Sequence, residues 1–206
     1  MLYKEYEPEV LKKLQRAEVE ILKDFDALCQ KHNIDYFVCG GTAIGGVRHQ
    51  GFIPWDDDID LGMTREHYEH FLEVEEQEYG ERYKIMNADT NPDFPVTLTK
   101  WYRTGTVFRN EEMIDLGLHI GIAIDIFCFD NVADELPKFR RQAMRAWTWG
   151  KLMVLRQVGE PNIYVEGWKA KLTLLVAKLA HWGLKALHFS PKFLYGRAMK
   201  AATQYK

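Results

Sequence analysis

The stretch Asp56-Asp57-Asp58-Ile59-Asp60 sets four carboxylates within five positions. Like charges this close repel, and each is pushed toward its protonated form unless a cation is present. Hard oxygen donors at alternate positions suit Mg²⁺ or Mn²⁺, ions that keep several waters and share their remaining coordination with phosphate oxygens. The plain alternative is a solvated acidic loop, which is what most charge runs are. Against it, Phe52-Ile53-Pro54-Trp55, Ile59 and Leu61 embed the run in core-forming sequence. A calcium loop of the EF-hand type also fails. Asp56, Asp58 and Asp60 match its first three ligand positions, but Leu61 and His67 stand where Gly and Glu are required.

A second feature precedes the acids. Gly40-Gly41 ends an apolar run, and Thr42 reads as the N-cap of a helix over roughly 43–49. A helix start after a glycine turn exposes backbone N–H groups and a positive dipole end, which together suit a phosphate. Glycine also serves such turns for steric reasons alone. Its position between a strand and the acidic run gives it weight, because phosphoryl transfer needs a phosphate site beside a divalent metal.

The elements that would position these groups follow from periodicity. Leu11, Leu14, Ala17, Ile21, Leu22, Phe25 and Leu28 make one apolar face of a helix ending near His32-Asn33. Residues 34–39 read as a short, largely buried strand. Ile59 and Leu61 alternate with Asp58 and Asp60, so the acids open a strand with both aspartates on one face. A helix from Thr64 to about residue 79 follows, then strands over 83–86 and 97–102. From His119 to Phe129, four isoleucines alternate with His119, Gly121, Ala123 and Asp125, placing Asp125 on the face opposite the isoleucines. Beyond residue 134 the pattern is helical, over roughly 135–158, 164–188 and 191–203. The order predicts an α/β fold with a mixed sheet flanked by helices and a helical C-terminal layer. Residues 1–132 would form the core, and 133–206 a helical region of the same domain.

Charge is divided unevenly along the 206 residues. The first 132 hold 13 basic and 26 acidic side chains, the remainder 14 and 4. The second part is therefore suited to an anionic neighbour: a nucleotide, a lipid surface or the acidic first part. Lys171, Lys178, His181, Lys185 and His188 recur at helical spacing, with Leu172, Leu175, Val176, Leu179, Trp182 and Leu187 on the other faces. That pattern fits an amphipathic helix lying on an anionic membrane, and equally a helix packed on the domain with a solvated basic edge. The acidic first part disfavours nucleic acid as a partner. Three scattered cysteines without a CxxC pair argue against a disulfide framework or zinc site. With a charged N-terminus and no long apolar run, they point to the cytoplasm, at the inner face of the membrane should the basic helix bind it.

The stretch from Gly40-Gly41-Thr42 through Arg48-His49-Gln50-Gly51-Phe52-Ile53-Pro54-Trp55-Asp56-Asp57-Asp58-Ile59-Asp60 closely resembles the signature of the LicD family. That family is similar to phosphocholine transferases of bacterial surface glycans and to fukutin-related proteins. The resemblance runs from about residue 20 to 130 and is loose beyond 150. It implies the nucleotidyltransferase fold, whose pattern is a Gly-Gly turn, a paired acidic strand and a third acid on a later strand.

By that resemblance Asp58, Asp60 and Asp125 would be catalytic and would hold one or two Mg²⁺ (or Mn²⁺) ions on the diphosphate of a CDP-choline-like donor. A hydroxyl of a glycan or lipid-linked glycan acceptor, as in teichoic acid or lipopolysaccharide, would attack the phosphorus next to choline and release CMP. Asp125 would complete the metal site or take the hydroxyl proton. Asp56 and Asp57 would orient the ligands from behind. Gly40, Gly41, Thr42, Arg48, Lys100 and Arg103 are candidates for the donor's phosphates. Trp55, with Trp101 and Tyr102, is a candidate cage for the choline cation, although such aromatics also fill cores. His49 is open between a structural and a catalytic part. Two other readings remain: a nucleotidyltransferase releasing pyrophosphate from an NTP, and a non-catalytic binding protein of the same fold.

Overall fold

Pro8 to His32 form a 25-residue helix, α1. Pro8 suits a first helical position because its missing N–H would be unbonded there anyway. Asn33, in the left-handed conformation at φ 53°, ends the helix and donates its N–H back to Gln30 and Cys29 carbonyls. The structure, a computed structural model, describes residues 6–108, 111–161 and 166–205. Among them follow β1 (Phe37–Val38), α2 (Gly40–His49), β2 (Asp60–Thr64), α3 (Arg65–Tyr79), β3 (Tyr83–Met86), β4 (Thr99–Arg103), α4 (Glu111–Asp115), β5 (Ala123–Phe129), α5 (Leu136–Gln157), α6 (Gly167–Ala186) and α7 (Pro191–Ala202).

These elements fall into two compact units. The first holds described residues 6–86 and 98–129. Its five strands run in the order β1-β2-β5-β4-β3. The β2–β5 pair is parallel and the other neighbours are antiparallel, so the sheet is mixed, as the sequence predicts. The α1 face Ile21, Phe25 and Leu28 packs with Leu61, Met63, Phe71, Ile124 and Ile126. At the centre lies Trp101, fully buried, stacked on Tyr83 with ring centroids 4.0 Å apart and edge-on to Phe25 and Phe71. Its Nε1–H donates to the buried Glu75 at 3.0 Å. An indole so placed is core, which removes Trp101 from the candidate choline cage.

The other unit holds residues 87–97 and the described residues from 130 onward. Buried Gln142 ties it together by accepting from Ala133 N–H and donating to the Asn131 and Ala202 carbonyls. Ala88, Met153 and Leu194 form its small core. Ser190 caps α7 by accepting from Phe193 N–H.

Several expectations shift. The strand over 34–39 shortens to Phe37–Val38, and both residues are exposed because β1 is the sheet's edge. Thr42 is not the N-cap: α2 begins at Gly40, after Cys39. The long strand from His119 begins at Ala123, with Ile120 making an isolated bridge to Phe108. Helix α4 has no counterpart in the periodicity. The expected start of the penultimate helix at 164 lies outside the described residues. Within α6, His181 is buried and its Nδ1 lies 2.8 Å from the Leu155 carbonyl, so it leaves the row of surface cations. Lys178 pairs with Glu160. Leu172, Leu175, Val176, Leu179 and Trp182 are all at least half exposed. None of the described helices is long and apolar enough to cross a membrane.

Candidate active site

The acidic turn is built by three neighbouring elements. Asp56 N–H donates to the Ile53 carbonyl, closing a turn at Pro54 and Trp55. Gln15 of α1 donates to the Asp56 carbonyl at 2.9 Å, and Tyr6 O–H donates to Asp57 Oδ2 at 2.8 Å. The Asp60 N–H donates to Thr42 Oγ1 at 2.8 Å, while its carbonyl accepts from Cys39 N–H at 3.0 Å. Thr42 thus fastens α2 to the first residue of β2, a use of its hydroxyl that a helix-capping rule does not foresee.

Gly40 and Gly41 are required here by the carboxylates themselves. Gly40 adopts φ +54°, a conformation that residues with a side chain resist. A Cβ at Gly40 would come within 2.3 Å of Asp60 Oδ2, and one at Gly41 within 2.6 Å of Asp56 Oδ2. The Gly41 N–H donates to the Asp60 carboxylate and favours its charged form. The glycine turn therefore cradles two acid side chains in addition to opening a helix.

Across the sheet, Asp60 of β2 is in register with Asp125 of β5, and Asp125 with Lys100 of β4. Cross-strand partners share a face, so Asp60, Asp125 and Lys100 lie along one row. The Lys100 ammonium sits 2.5 Å from Asp125 Oδ1. Asp125 is buried on the strand face opposite Ile124 and Ile126, as its alternation with the isoleucines requires.

The electrostatics are those of crowded acid. Burial, then the charges of Asp60, Asp56, Asp125 and Asp57, push Asp58 up to about 7. Burial raises Asp60, and Asp125 and Asp56 raise it further. Burial likewise raises Asp125, against the pull of Lys100, and raises Asp56. Among the described residues, one ligand oxygen each from Asp56, Asp57 and Asp58 come within 4.8 Å of one another. Asp58, Asp60 and Asp125 do not close to that spacing, but each acts on another through its charge. Asp56 Oδ2 is buried without a hydrogen-bond partner.

The remaining candidates divide. Trp55 lies beside the acids and is 76% exposed. Arg48 is exposed in the last turn of α2, and His49 with it. Arg103 lies three residues beyond Lys100 on β4, hence on the opposite strand face. Its charge acts on Glu20 and Tyr83, so the structure does not bring it to the acids.

One residue missing from the sequence reading belongs here. Glu18 of α1 is 2% exposed, and its Oε2 has no hydrogen-bond partner. Burial, then the charges of Asp58, Asp57 and Asp125, push it up to about 9, with Lys100 opposing. The signal was present: Glu18 lies on the helix face of Leu14, Ile21 and Phe25, where an apolar residue belongs.

This geometry can be set beside known proteins. Residues 33–134 match the family described as LicD/FKTN/FKRP, nucleotidyltransferase domain. Over 129 residues the chain is 38% identical to the lipopolysaccharide cholinephosphotransferase LicD of Haemophilus influenzae, covering 62% of this chain. Residues 33–134 form a LicD-family domain. The chain is also similar to uncharacterized proteins of Rickettsia typhi and Rickettsia prowazekii, 46% and 44% identical over 55 residues, or 27% of this chain. The matched stretches span 47%, 18% and 21% of those three relatives. The glycine turn, the acidic turn and Asp125 all lie inside the residues matched to the LicD domain.

Proposed function

We propose that this protein transfers phosphocholine, or a related phospho-alcohol, from a CDP-linked donor to a hydroxyl of a cell-surface glycan or its lipid-linked precursor. The observation that carries this reading is the register of Asp60 with Asp125 on the parallel β2–β5 pair, next to the converging Asp56, Asp57 and Asp58, in a chain 38% identical over 129 residues to a cholinephosphotransferase. Asp125 and Asp60 come from strands far apart in sequence, so their meeting is a product of the fold and not of a local charge run.

A divalent cation fits this site. The donors are hard carboxylate oxygens, the groups Mg²⁺ and Mn²⁺ prefer, and the buried Asp56 Oδ2 has no partner. Asp58 and Asp60 would hold the ion, with Asp125 completing the set. When bound, it would neutralise charge on the donor's diphosphate and make the phosphorus next to choline more electrophilic.

The chain's own residues do the rest. As the alternative to completing that set, Asp125, once released by Lys100, would take the proton of the acceptor hydroxyl. A new O–P bond forms to the acceptor as the bond to CMP breaks, and CMP leaves with the electron pair. Lys100, freed from Asp125, would follow the negative charge to a phosphate oxygen. The exposed Trp55 offers an aromatic face for the quaternary ammonium, and Arg48 a cation near the start of the acid loop.

The α6 face of Leu172, Leu175, Val176, Leu179 and Trp182, flanked by Lys169, Lys171 and Lys185, is exposed. That combination suits an anionic lipid surface, where lipid-linked acceptors would be met. Co-sedimentation with vesicles, retained with anionic and lost with zwitterionic lipid, checks it.

Thermal shift in CDP-choline, CTP and ATP, each with and without Mn²⁺, tests the main reading. Stabilisation by CDP-choline that requires Mn²⁺, followed by CMP release with an acceptor, supports it. Pyrophosphate release from an NTP would assign the chemistry to nucleotidyl transfer instead. No metal-dependent ligand effect would leave a binding protein.

A further inference from the structure

Glu18 has no place in the mechanism above and no structural purpose that its surroundings explain. A carboxyl that is 2% exposed is costly to bury unless hydrogen bonds or an opposite charge repay it. Its Oε2 makes no hydrogen bond. Trp101 shows what this core does with an acid it needs for structure, since Glu75 accepts the indole N–H. Glu18 has no such arrangement at that oxygen. The charges acting on it come mostly from more acids, Asp58 first, then Asp57 and Asp125. One turn earlier on the same helix, Gln15 is bonded to the backbone of Asp56, which fixes this part of α1 against the acidic turn. Leucine at this position would complete the apolar face between Leu14 and Ile21.

We propose that Glu18 supplies an oxygen to the divalent cation centre, bound to the ion directly or through one of its waters. This rests on the reading of Asp58, Asp60 and Asp125 as a metal site. The centre would then draw on four segments: α1, the loop leading into β2, β2 itself and β5. An ion bridging Glu18 and Asp58 gives the orphaned oxygen a partner and removes the repulsion between them.

Mn²⁺ binding, followed by calorimetry and by the paramagnetic signal of the free ion, tests the inference without reference to turnover. Wild type, D58N, E18Q and E18M are compared. Wild type should bind, D58N should lose binding, and both Glu18 variants should bind about tenfold or more weakly, as losses around a metal shell do. Both Glu18 variants should also melt higher than wild type without metal, since each removes an unpartnered buried carboxyl. Unchanged Mn²⁺ affinity in E18Q and E18M would overturn the inference while leaving the metal site intact. Variants that are less stable than wild type in the absence of metal, or do not fold, would overturn it as well, because Glu18 would then be structural. Wild type that binds no divalent ion would instead sink the reading of the centre itself.

Discussion

Lys100 and Asp125 face each other on adjacent antiparallel strands, and the ammonium lies against the carboxylate that the acidic centre shares with Asp60. The charge of Lys100 acts on Asp60, Asp125 and Glu18 alike. It balances part of a concentration of negative charge that would otherwise oppose folding.

The variant K100M should therefore destabilise the metal-free protein. Breaking a fully buried pair costs about 3–5 kcal/mol. The Lys100 side chain keeps 24% exposure, so solvent screening reduces the expected loss to about 1–3 kcal/mol. Urea denaturation in chelator measures it, and added Mn²⁺ should recover more stability in K100M than in wild type. Equal midpoints in chelator would show that the pair contributes nothing.

Removing one of the crowded charges should act in the opposite sense. D58N removes a carboxyl that burial first, and then the neighbouring acids, raise to about 7, so its metal-free melting temperature should rise. Its turnover should fall by more than the roughly 10–100-fold associated with residues behind a metal shell. A variant that is more stable yet nearly inactive is the signature of a residue kept for chemistry. A stable variant with full activity would remove Asp58 from the reaction.

G40A tests the cradle. The left-handed conformation costs a residue with a Cβ about 1–2 kcal/mol, and the added carbon would also strike Asp60 Oδ2. The variant should lose at least that much stability and bind Mn²⁺ more weakly. Wild-type metal affinity in a folded G40A protein would mean that Asp60 can move without consequence.

Glu75 gives a pH dependence away from the acidic centre. Burial raises its pKa despite the hydrogen bond from Trp101. The folded protein then holds a proton that the unfolded chain releases near 4.5. Stability from this group is complete below that value and is lost as pH rises through the folded value. E75Q keeps an oxygen for the indole N–H and does not ionise. Its melting temperature should fall less than that of wild type between pH 4.5 and 8. Parallel profiles would show that Glu75 carries no proton in that range.

The sequence made some of this legible for physical reasons. The strand at Tyr83–Met86 and the helix ending at Tyr79 have periodic patterns that their surroundings reinforce. The face of Asp125 is legible because a strict alternation leaves an acid no choice of face. The place of Thr42 is not legible because capping preference is local, whereas its hydroxyl serves the N–H of a residue in a different element. The β1 segment was expected to be buried because aromatic and β-branched residues do not reveal which strand is the edge. Trp101 and Trp55 are the same residue type near the same motifs, and only packing separates a core indole from an exposed one. Glu18 stands in the apolar row of a helix that carries many charges, so residue type alone does not set it apart from its solvated neighbours.

The parallel pairing of β2 with β5 has a consequence for how the protein comes into being. Asp58 and Asp60 leave the ribosome together, but Asp125 follows only after α3, β3 and β4 have been made, and it reaches them only when β5 docks. A chain in which β5 has not docked thus holds the acidic turn without Asp125, so the row of Asp60, Asp125 and Lys100 is complete only once the sheet is assembled. A centre that needs Asp125 could therefore form only after β5 has docked, and before α5, α6 and α7 are needed.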